Sequence, residues 1–136
     1  MGTLPSGLPE AVAGDEELAR FLTSSSQLNA TMVKPAAFLP SPRDGNTSVF
    51  RHGRNPQHAL WQIGAENIVG RTLHGAAIVK ARYVREARLD VVSQEPPPRH
   101  ANITGWPSLA SDPEMEKAAR KVCAAVIAQY AEVVRV

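Results

Sequence analysis

The feature that most constrains the fold of this chain is a run of three consecutive prolines at residues 96–98. Proline has no backbone N–H and a fixed φ, so this run is excluded from the interior of a helix and from a central strand. Three prolines together predict an extended, polyproline-like course. Because such a course has few backbone donors, apolar side chains have to hold it, and we predict that Ile103 and Trp106 anchor residues 95–107 against a core.

The C-terminal part of the sequence predicts a long helix. Asp112 is a suitable N-cap, Pro113 suits the first helical position, and Glu114 favours the positive end of the helix dipole. Apolar residues then recur at intervals of three and four, which predicts an amphipathic helix whose apolar face meets the core. That predicted stripe consists of Met115, Ala119, Val122, Val126, Tyr130 and Val133. The alanines of this helix also permit close approach to a partner copy.

The remainder of the chain mixes helical and strand patterns. Helices are predicted over residues 15–22, 56–68 and 81–87, with Asn55 as a cap and Pro56 at the first helical position. Strands are predicted over residues 32–39, 46–51, 73–79, 89–93 and 101–104.

Three details of packing follow from these patterns. Residues 32–39 and 46–51 read as an antiparallel hairpin in which Phe38 and either Val49 or Phe50 enter the core. Gly75 marks a close backbone approach in a buried strand. The fold class expected is α+β, with a small mixed or antiparallel sheet packed against the long C-terminal amphipathic helix. The strand order stays open, and a parallel pair joined through residues 81–87 is one possibility.

Length and composition predict a single domain. The chain has 136 residues, 43% hydrophobic and 21% charged, which suffices for one packed core. We expect a flexible N-terminal leader over residues 1–14 and one α+β domain over residues 15–136. Cys123 is the only cysteine, which excludes an intramolecular disulfide and fits a reducing compartment. Without a signal peptide or membrane-spanning pattern, the expected location is the cytoplasm.

The charge of the chain suggests one kind of partner. The net charge is +2, and basic residues concentrate between Arg71 and His100. Such a surplus can attract phosphates, so Arg82, Arg85 and Arg88 are candidates for weak nucleic-acid binding. The alternative is an ordinary solvated face.

Residues with catalytic potential are few. No phosphate-binding loop, dinucleotide fingerprint or zinc-binding spacing is present, and no cofactor or metal is expected. His100 follows Arg99 and the rigid prolines, and His52 follows Arg51. Two imidazoles beside arginines suit metal-free acid–base catalysis on a phosphodiester, with Arg51 and Arg99 as phosphate ligands. Hydrogen-bonded structural histidines are the alternative.

Several segments resemble those of a group of short bacterial proteins with no known activity. The matching stretches are S-S-S-Q-L-N (24–29), K-P-A-A-F-L-P (34–40), S-V-F-R (48–51), L-W-Q-I-G (60–64), L-H-G-A-A (73–77) and P-P-P-R-H-A-N-I-T-G-W-P (96–107). The resemblance implies one complete domain and carries no catalytic residue.

Three functions follow as hypotheses. The first is a non-enzymatic binding or interaction module of a bacterial cytoplasmic system, with an unknown protein partner, as a monomer or homodimer and without membrane contact. The second is a small metal-independent enzyme that acts on RNA or a nucleotide. The third is a weak nucleic-acid binder.

Overall fold

The structure is a computed structural model that describes residues 2–29, 32–52 and 57–135. These residues form six strands and three α-helices: β1 (Glu17–Leu22), β2 (Thr47–Arg51), α1 (Gln57–Asn67), β3 (Gly75–Lys80), α2 (Ala81–Glu86), β4 (Asp90–Ser93), β5 (His100–Thr104), α3 (Pro113–Tyr130) and β6 (Glu132–Arg135). Short 3₁₀ turns at Ser25–Gln27 and Pro35–Phe38 lie between β1 and β2.

The strands form one antiparallel sheet with the order β4-β5-β2-β1-β3-β6. The expected α+β class with an antiparallel sheet and a C-terminal helix is therefore confirmed. The parallel pair that the sequence left possible does not form. β4 lies at one edge of the sheet and β3 lies near the other, so α2 connects strands that are not neighbours.

One face of the sheet is covered by a large apolar cluster, and the other is covered in part by a smaller one. On one face α2, α3 and the 3₁₀ turn Pro35–Phe38 cover the larger core cluster, which includes Phe38, Val49 and Ile127. On the other face α1 covers a smaller cluster around Phe21, Phe50, Leu60, Ala76 and Ile78. Ser48 shares that second face with Phe50 but stays exposed, so α1 leaves part of the face open.

The helix predicted over residues 15–22 is wrong, because Glu17–Leu22 forms strand β1. β1 lies between β2 and β3 with both faces covered: Leu18 and Leu22 belong to one cluster, Ala19 and Phe21 to the other. A strand buried on both faces has a continuous apolar run instead of an alternating one. Over six residues such a run cannot be distinguished from a helical stripe by periodicity, and strand pairing decides the outcome.

Residues 32–39 do not form the predicted first strand of a hairpin. Pro35 starts a 3₁₀ turn that ends at Phe38, and the Thr47 hydroxyl donates to the Phe38 carbonyl at 2.7 Å. The second predicted strand, β2, is present. Phe38 is fully buried as predicted, and Val49 and Phe50 are both buried because the two faces of β2 are both covered.

The other predicted elements are confirmed with small shifts at their ends. Residues 56–68 give α1, 73–79 give β3, 81–87 give α2, 89–93 give β4 and 101–104 give β5. Asn55 and Pro56, the predicted cap and first residue of α1, lie outside the described residues. The close approach at Gly75 is confirmed, since a Cβ there would lie 2.6 Å from the Val134 carbonyl oxygen of β6.

The long helix α3 starts as predicted but presents a different face to the core. The Asp112 carboxylate accepts from the Met115 N–H at 3.1 Å, and Pro113 occupies the first turn. The buried residues are Ala124, Ile127 and Ala128. Met115 is 61% exposed, Val122 66% and Tyr130 43%, so the predicted core stripe lies largely at the surface. Val133 belongs to β6 instead of the helix.

The predicted flexible leader is docked onto the domain. Val12 is buried in the larger core cluster. The carbonyls of Pro9 and Ala11 accept from the Arg51 guanidinium at 2.6 and 3.4 Å, and the Val12 carbonyl accepts from Arg85 at 2.7 Å. The leader therefore contributes to the same packed unit as the residues that follow it.

The proline run forms a turn between β4 and β5, and the predicted extended course is wrong. The Gln94 N–H donates to the His100 carbonyl and the His100 N–H donates to the Pro97 carbonyl, which closes the turn. The Glu95–Pro96 and Pro96–Pro97 peptide bonds are cis. The predicted anchors are confirmed: Ile103 is fully buried, and Trp106 is 7% exposed and donates from Nε1 to the Ile103 carbonyl at 3.2 Å.

Candidate functional site

His100 forms a three-group array with Ser48 and Gln94. β2 and β5 are paired so that Phe50 lies opposite His100 and Ser48 opposite Asn102. His100 Nε2 lies 2.7 Å from Ser48 Oγ, and His100 Nδ1 lies 2.8 Å from the Gln94 carbonyl oxygen. A carbonyl oxygen only accepts, so Nδ1 carries the hydrogen of the neutral ring. Nε2 then accepts from the Ser48 hydroxyl.

A neighbouring ring contacts the imidazole of this array, and an arginine on the other face of the sheet holds the Ser48 backbone. The Phe50 ring contacts His100 edge-on, with ring centroids 5.3 Å apart. Arg20 donates from Nη1 to the Ser48 carbonyl at 2.9 Å and from Nε to the Ala37 carbonyl at 2.8 Å. Burial, together with the nearby Arg71 guanidinium, lowers the pKa of Arg20 from its ordinary value. A guanidinium in protein stays protonated, so Arg20 places a cation beside the Ser48 backbone.

His52 has a different environment from His100. It lies just after β2, is 7% exposed, and donates its backbone N–H to the Glu17 carbonyl. Burial lowers the pKa of the His52 imidazole; the Glu17 carboxylate acts in the opposite direction, and the Arg99 guanidinium lowers it further. The ring nitrogens of His100 are occupied by Ser48 and Gln94 instead of His52, so the acid–base pair predicted from the sequence gains no support.

Arg51 and Arg99, the two predicted phosphate ligands, both donate hydrogen bonds to other residues of the chain. Arg51 is 1% exposed, and its guanidinium donates to both carboxylate oxygens of Glu16 at 2.5 and 2.7 Å. It also donates to the leader carbonyls and to Ser93 Oγ at 3.1 Å. Arg99 donates from Nη1 to the Arg51 carbonyl and from its backbone N–H to the Glu95 carboxylate, both at 3.1 Å. These placements do not favour phosphate binding by Arg51.

The three arginines predicted to bind nucleic acid lie at the surface around α2. Arg82 stacks over the Tyr83 ring at 5.1 Å from its centroid. Arg85 donates to Asp90 at 3.2 Å as well as to the leader. Arg88, just after the helix, has a φ of 65° and an exposed side chain. Two of the three guanidiniums therefore have partners within the chain.

Most of the stripe that the sequence predicted to face the core lies instead on the solvent side of α3. Successive helical residues are about 100° apart, so residues seven positions apart share a face. Met115, Ala118, Val122 and Ala125 are exposed, and Ala119 among them is half-buried. We call these five residues the outer α3 face. Val126 borders this face and packs against the larger core cluster. A cleft of about 400 Å³ adjoins its C-terminal end and includes Met32, Pro35 and Ala125 in its lining.

The signal for this face was present in the sequence. α3 also carries Ala124, Ile127 and Ala128 on its opposite side, so apolar residues occur on two sides of the helix. Periodicity identifies both stripes but does not say which one meets the sheet.

Within residues 2–29, 32–52 and 57–135, no group of three or more histidine, cysteine, aspartate or glutamate side chains could hold a metal ion. Across the same ranges, no helix has the length and apolar character needed to cross a membrane. No known protein family matches the chain, and no curated protein or solved structure shows significant similarity to it.

The lowered pKa of His52 predicts a dependence of stability on pH. In the unfolded chain a histidine has a pKa of about 6.5, so as the pH falls below about 6.5 the unfolded chain takes up this proton before the folded chain does. The free energy of unfolding is therefore expected to fall from pH 6.5 toward pH 5. Urea denaturation of His52→Asn should show a shallower fall over this range. An unchanged slope in the variant would contradict the assignment.

Proposed function

We propose that the chain is a protein-interaction module and that the outer α3 face is its docking surface. The observation that carries the proposal is the orientation of α3, which directs methionine and valine side chains into solvent. Val122 is 66% exposed and Met115 is 61% exposed, and they share one helical face. Grouped apolar side chains at a surface are typical of interaction sites, whereas isolated ones need no explanation.

The shape and charge of this face favour one kind of partner. Ala118, Ala119 and Ala125 surround Val122 with small side chains, which lets a second helix approach closely. Lys121 is exposed along one edge of the face, and Glu114 lies seven residues before it on the same edge. The partner surface expected is therefore a helix with an apolar stripe and with a carboxylate opposite Lys121. In keeping with the bacterial resemblance, we place this partner in a bacterial cytoplasm.

The position of Lys121 disfavours a symmetric pair of α3 helices that cross at Val122. A two-fold axis between two antiparallel helices brings the same edge of each helix together. Lys121 of one copy would then lie near Lys121 of the other. A different protein with a carboxylate at this position avoids the repulsion, so the homodimer is the competing outcome of the test.

The test is photo-crosslinking in the cells that produce the protein. A photoreactive amino acid replaces Ala118, and adducts are measured by mass. We expect one adduct with a different protein, reduced at least tenfold by adding Val122→Glu, because a carboxylate in the centre of the apolar face is desolvated on docking. Val69→Glu is the matched control, since Val69 is 79% exposed and lies outside α3.

Three results would overturn this function. An adduct with the mass of two copies of the chain would identify self-association instead. An adduct that Val122→Glu and Val69→Glu leave equally strong would place docking elsewhere, and absence of any adduct would remove the docking role of the face.

The two other functions have weaker support. RNA or nucleotide chemistry through His52, His100, Arg51 and Arg99 requires Arg51 to leave its buried partners. Nucleic-acid binding through Arg82, Arg85 and Arg88 predicts an affinity that falls steeply with salt, and a salt titration with single-stranded and duplex oligonucleotides tests it.

A further inference from the structure

We propose that Ser48 is a nucleophile that His100 activates as a general base, which gives the chain acyl-transfer activity toward small, unhindered carboxylic esters. The inference is independent of the proposed docking role of α3, because β2 and β5 carry Ser48 and His100 while docking uses a helix on the other face of the sheet.

The geometry is that of an activated serine. A nucleophile and its base have to lie within hydrogen-bond distance, with a third group that orients the base. The Ser48 Oγ to His100 Nε2 distance of 2.7 Å meets the first requirement. The Gln94 carbonyl, 2.8 Å from Nδ1, meets the second and selects the tautomer in which Nε2 is free to take the serine proton.

The exposure of Ser48 favours a reactive role for this array over a purely stabilising one. Hydrogen bonds that stabilise folds most are those whose loss leaves a buried group unsatisfied. Ser48 is exposed, so its hydroxyl would find water if His100 were absent. His100 is nevertheless fixed by two hydrogen bonds and by the edge-on contact with Phe50. An accessible hydroxyl thus lies against a positioned imidazole.

Arg20 holds the Ser48 main chain from the other face of the sheet. Along β1 its side chain alternates with Ala19 and Phe21, so it lies on the face of Leu18 and Leu22. It donates to the Ser48 carbonyl at 2.9 Å. Arg20 is therefore a positioning residue for the Ser48 backbone and does not contact the ester.

The reaction balances with water as the second substrate. Ser48 Oγ bonds to the ester carbonyl carbon while its proton passes to His100 Nε2. The carbon–oxygen bond to the alcohol then breaks, and the alcohol leaves with that proton. Water attacks the acyl-serine with His100 again as base, and the carboxylic acid and free Ser48 are released.

The substrate class follows from the exposure of the site. Ser48 is exposed, and neither Ser48 nor His100 lines any of four clefts that the described residues form. An open site gives little binding energy to distant parts of a substrate, so small activated esters are expected to react best.

The experiment uses an alkyl phosphonofluoridate, which forms a stable bond with an activated serine and releases fluoride. Intact-mass measurement and peptide mapping are expected to show one adduct per chain, on Ser48. Ser48→Ala should abolish it, and His100→Asn should slow it by about a hundredfold or more, within the usual range for loss of a general base. Ser108→Ala is the matched control, because Ser108 is an exposed serine outside this array.

Turnover provides the second measurement. The chain is expected to hydrolyse p-nitrophenyl acetate with a burst that Ser48→Ala removes. Unmodified Ser48, or labelling that survives His100→Asn at the original rate, would overturn the proposal. Circular dichroism of each variant shows that the fold is retained. Val122→Glu should keep full labelling, so failure of the docking role and failure of this activity are separable.

Discussion

Arg51→Ala is expected to lower the free energy of unfolding by about 3–5 kcal/mol, the usual cost of breaking a buried ion pair by removing one partner. The Glu16 carboxylate, only 15% exposed, loses its bidentate partner. The carbonyls of Pro9 and Ala11 lose the donor that holds the leader. Urea denaturation followed by circular dichroism measures the change.

The control for this prediction is Arg43→Ala. Arg43 is exposed in the turn before β2, so its replacement is expected to change stability by less than about 0.5 kcal/mol. Limited proteolysis gives an independent readout, since the Arg51 variant should be cut within residues 2–14 earlier than the parent chain. Equal stability of the two variants would contradict the structural role assigned to Arg51.

Ile127→Ala is expected to cost about 2–5 kcal/mol, whereas Val122→Ala should cost less than about 0.5 kcal/mol. Ile127 is fully buried against the sheet, and its truncation leaves a cavity in the larger core cluster. Val122 is 66% exposed and loses only partial contacts. Urea denaturation of Ile127→Ala and Val122→Ala therefore shows which side of α3 meets the core.

The opposite order of the two stability losses would support the core face that the sequence periodicity predicted. If Val122→Ala were the more destabilising change, the apolar stripe from Met115 to Tyr130 would be the core face. The docking surface proposed for α3 would then have no basis.

The parts of the fold that were predictable from the sequence are those determined by local residue preferences. The Asp112 cap and Pro113 fix the start of α3 because they act on neighbouring backbone groups. Gly75 was predictable because only glycine allows β6 to come so near. β1 was not, because a central strand with both faces covered loses the alternation by which strands are recognised.

The candidate sites were predictable only in part. His100 stood out because prolines and Arg99 precede it in the sequence. Its partners Ser48 and Gln94 come from strand pairing, and nothing local in the sequence indicates that pairing. Arg51 was predicted to be a phosphate ligand because sequence patterns do not report burial. Its partners are Glu16, Ser93 and two carbonyls of the leader, and no local pattern links them to Arg51.

Residues 9–11 of the leader are held through their main-chain carbonyls, which accept from Arg51 and Ser93. Every amino acid supplies such an oxygen, so substitutions at residues 9–11 are expected to keep these hydrogen bonds. Deletion of the segment is expected to be destabilising, because the buried Arg51 guanidinium would lose the Pro9 and Ala11 carbonyls as acceptors. Tolerance to substitution and intolerance to truncation therefore arise from one arrangement.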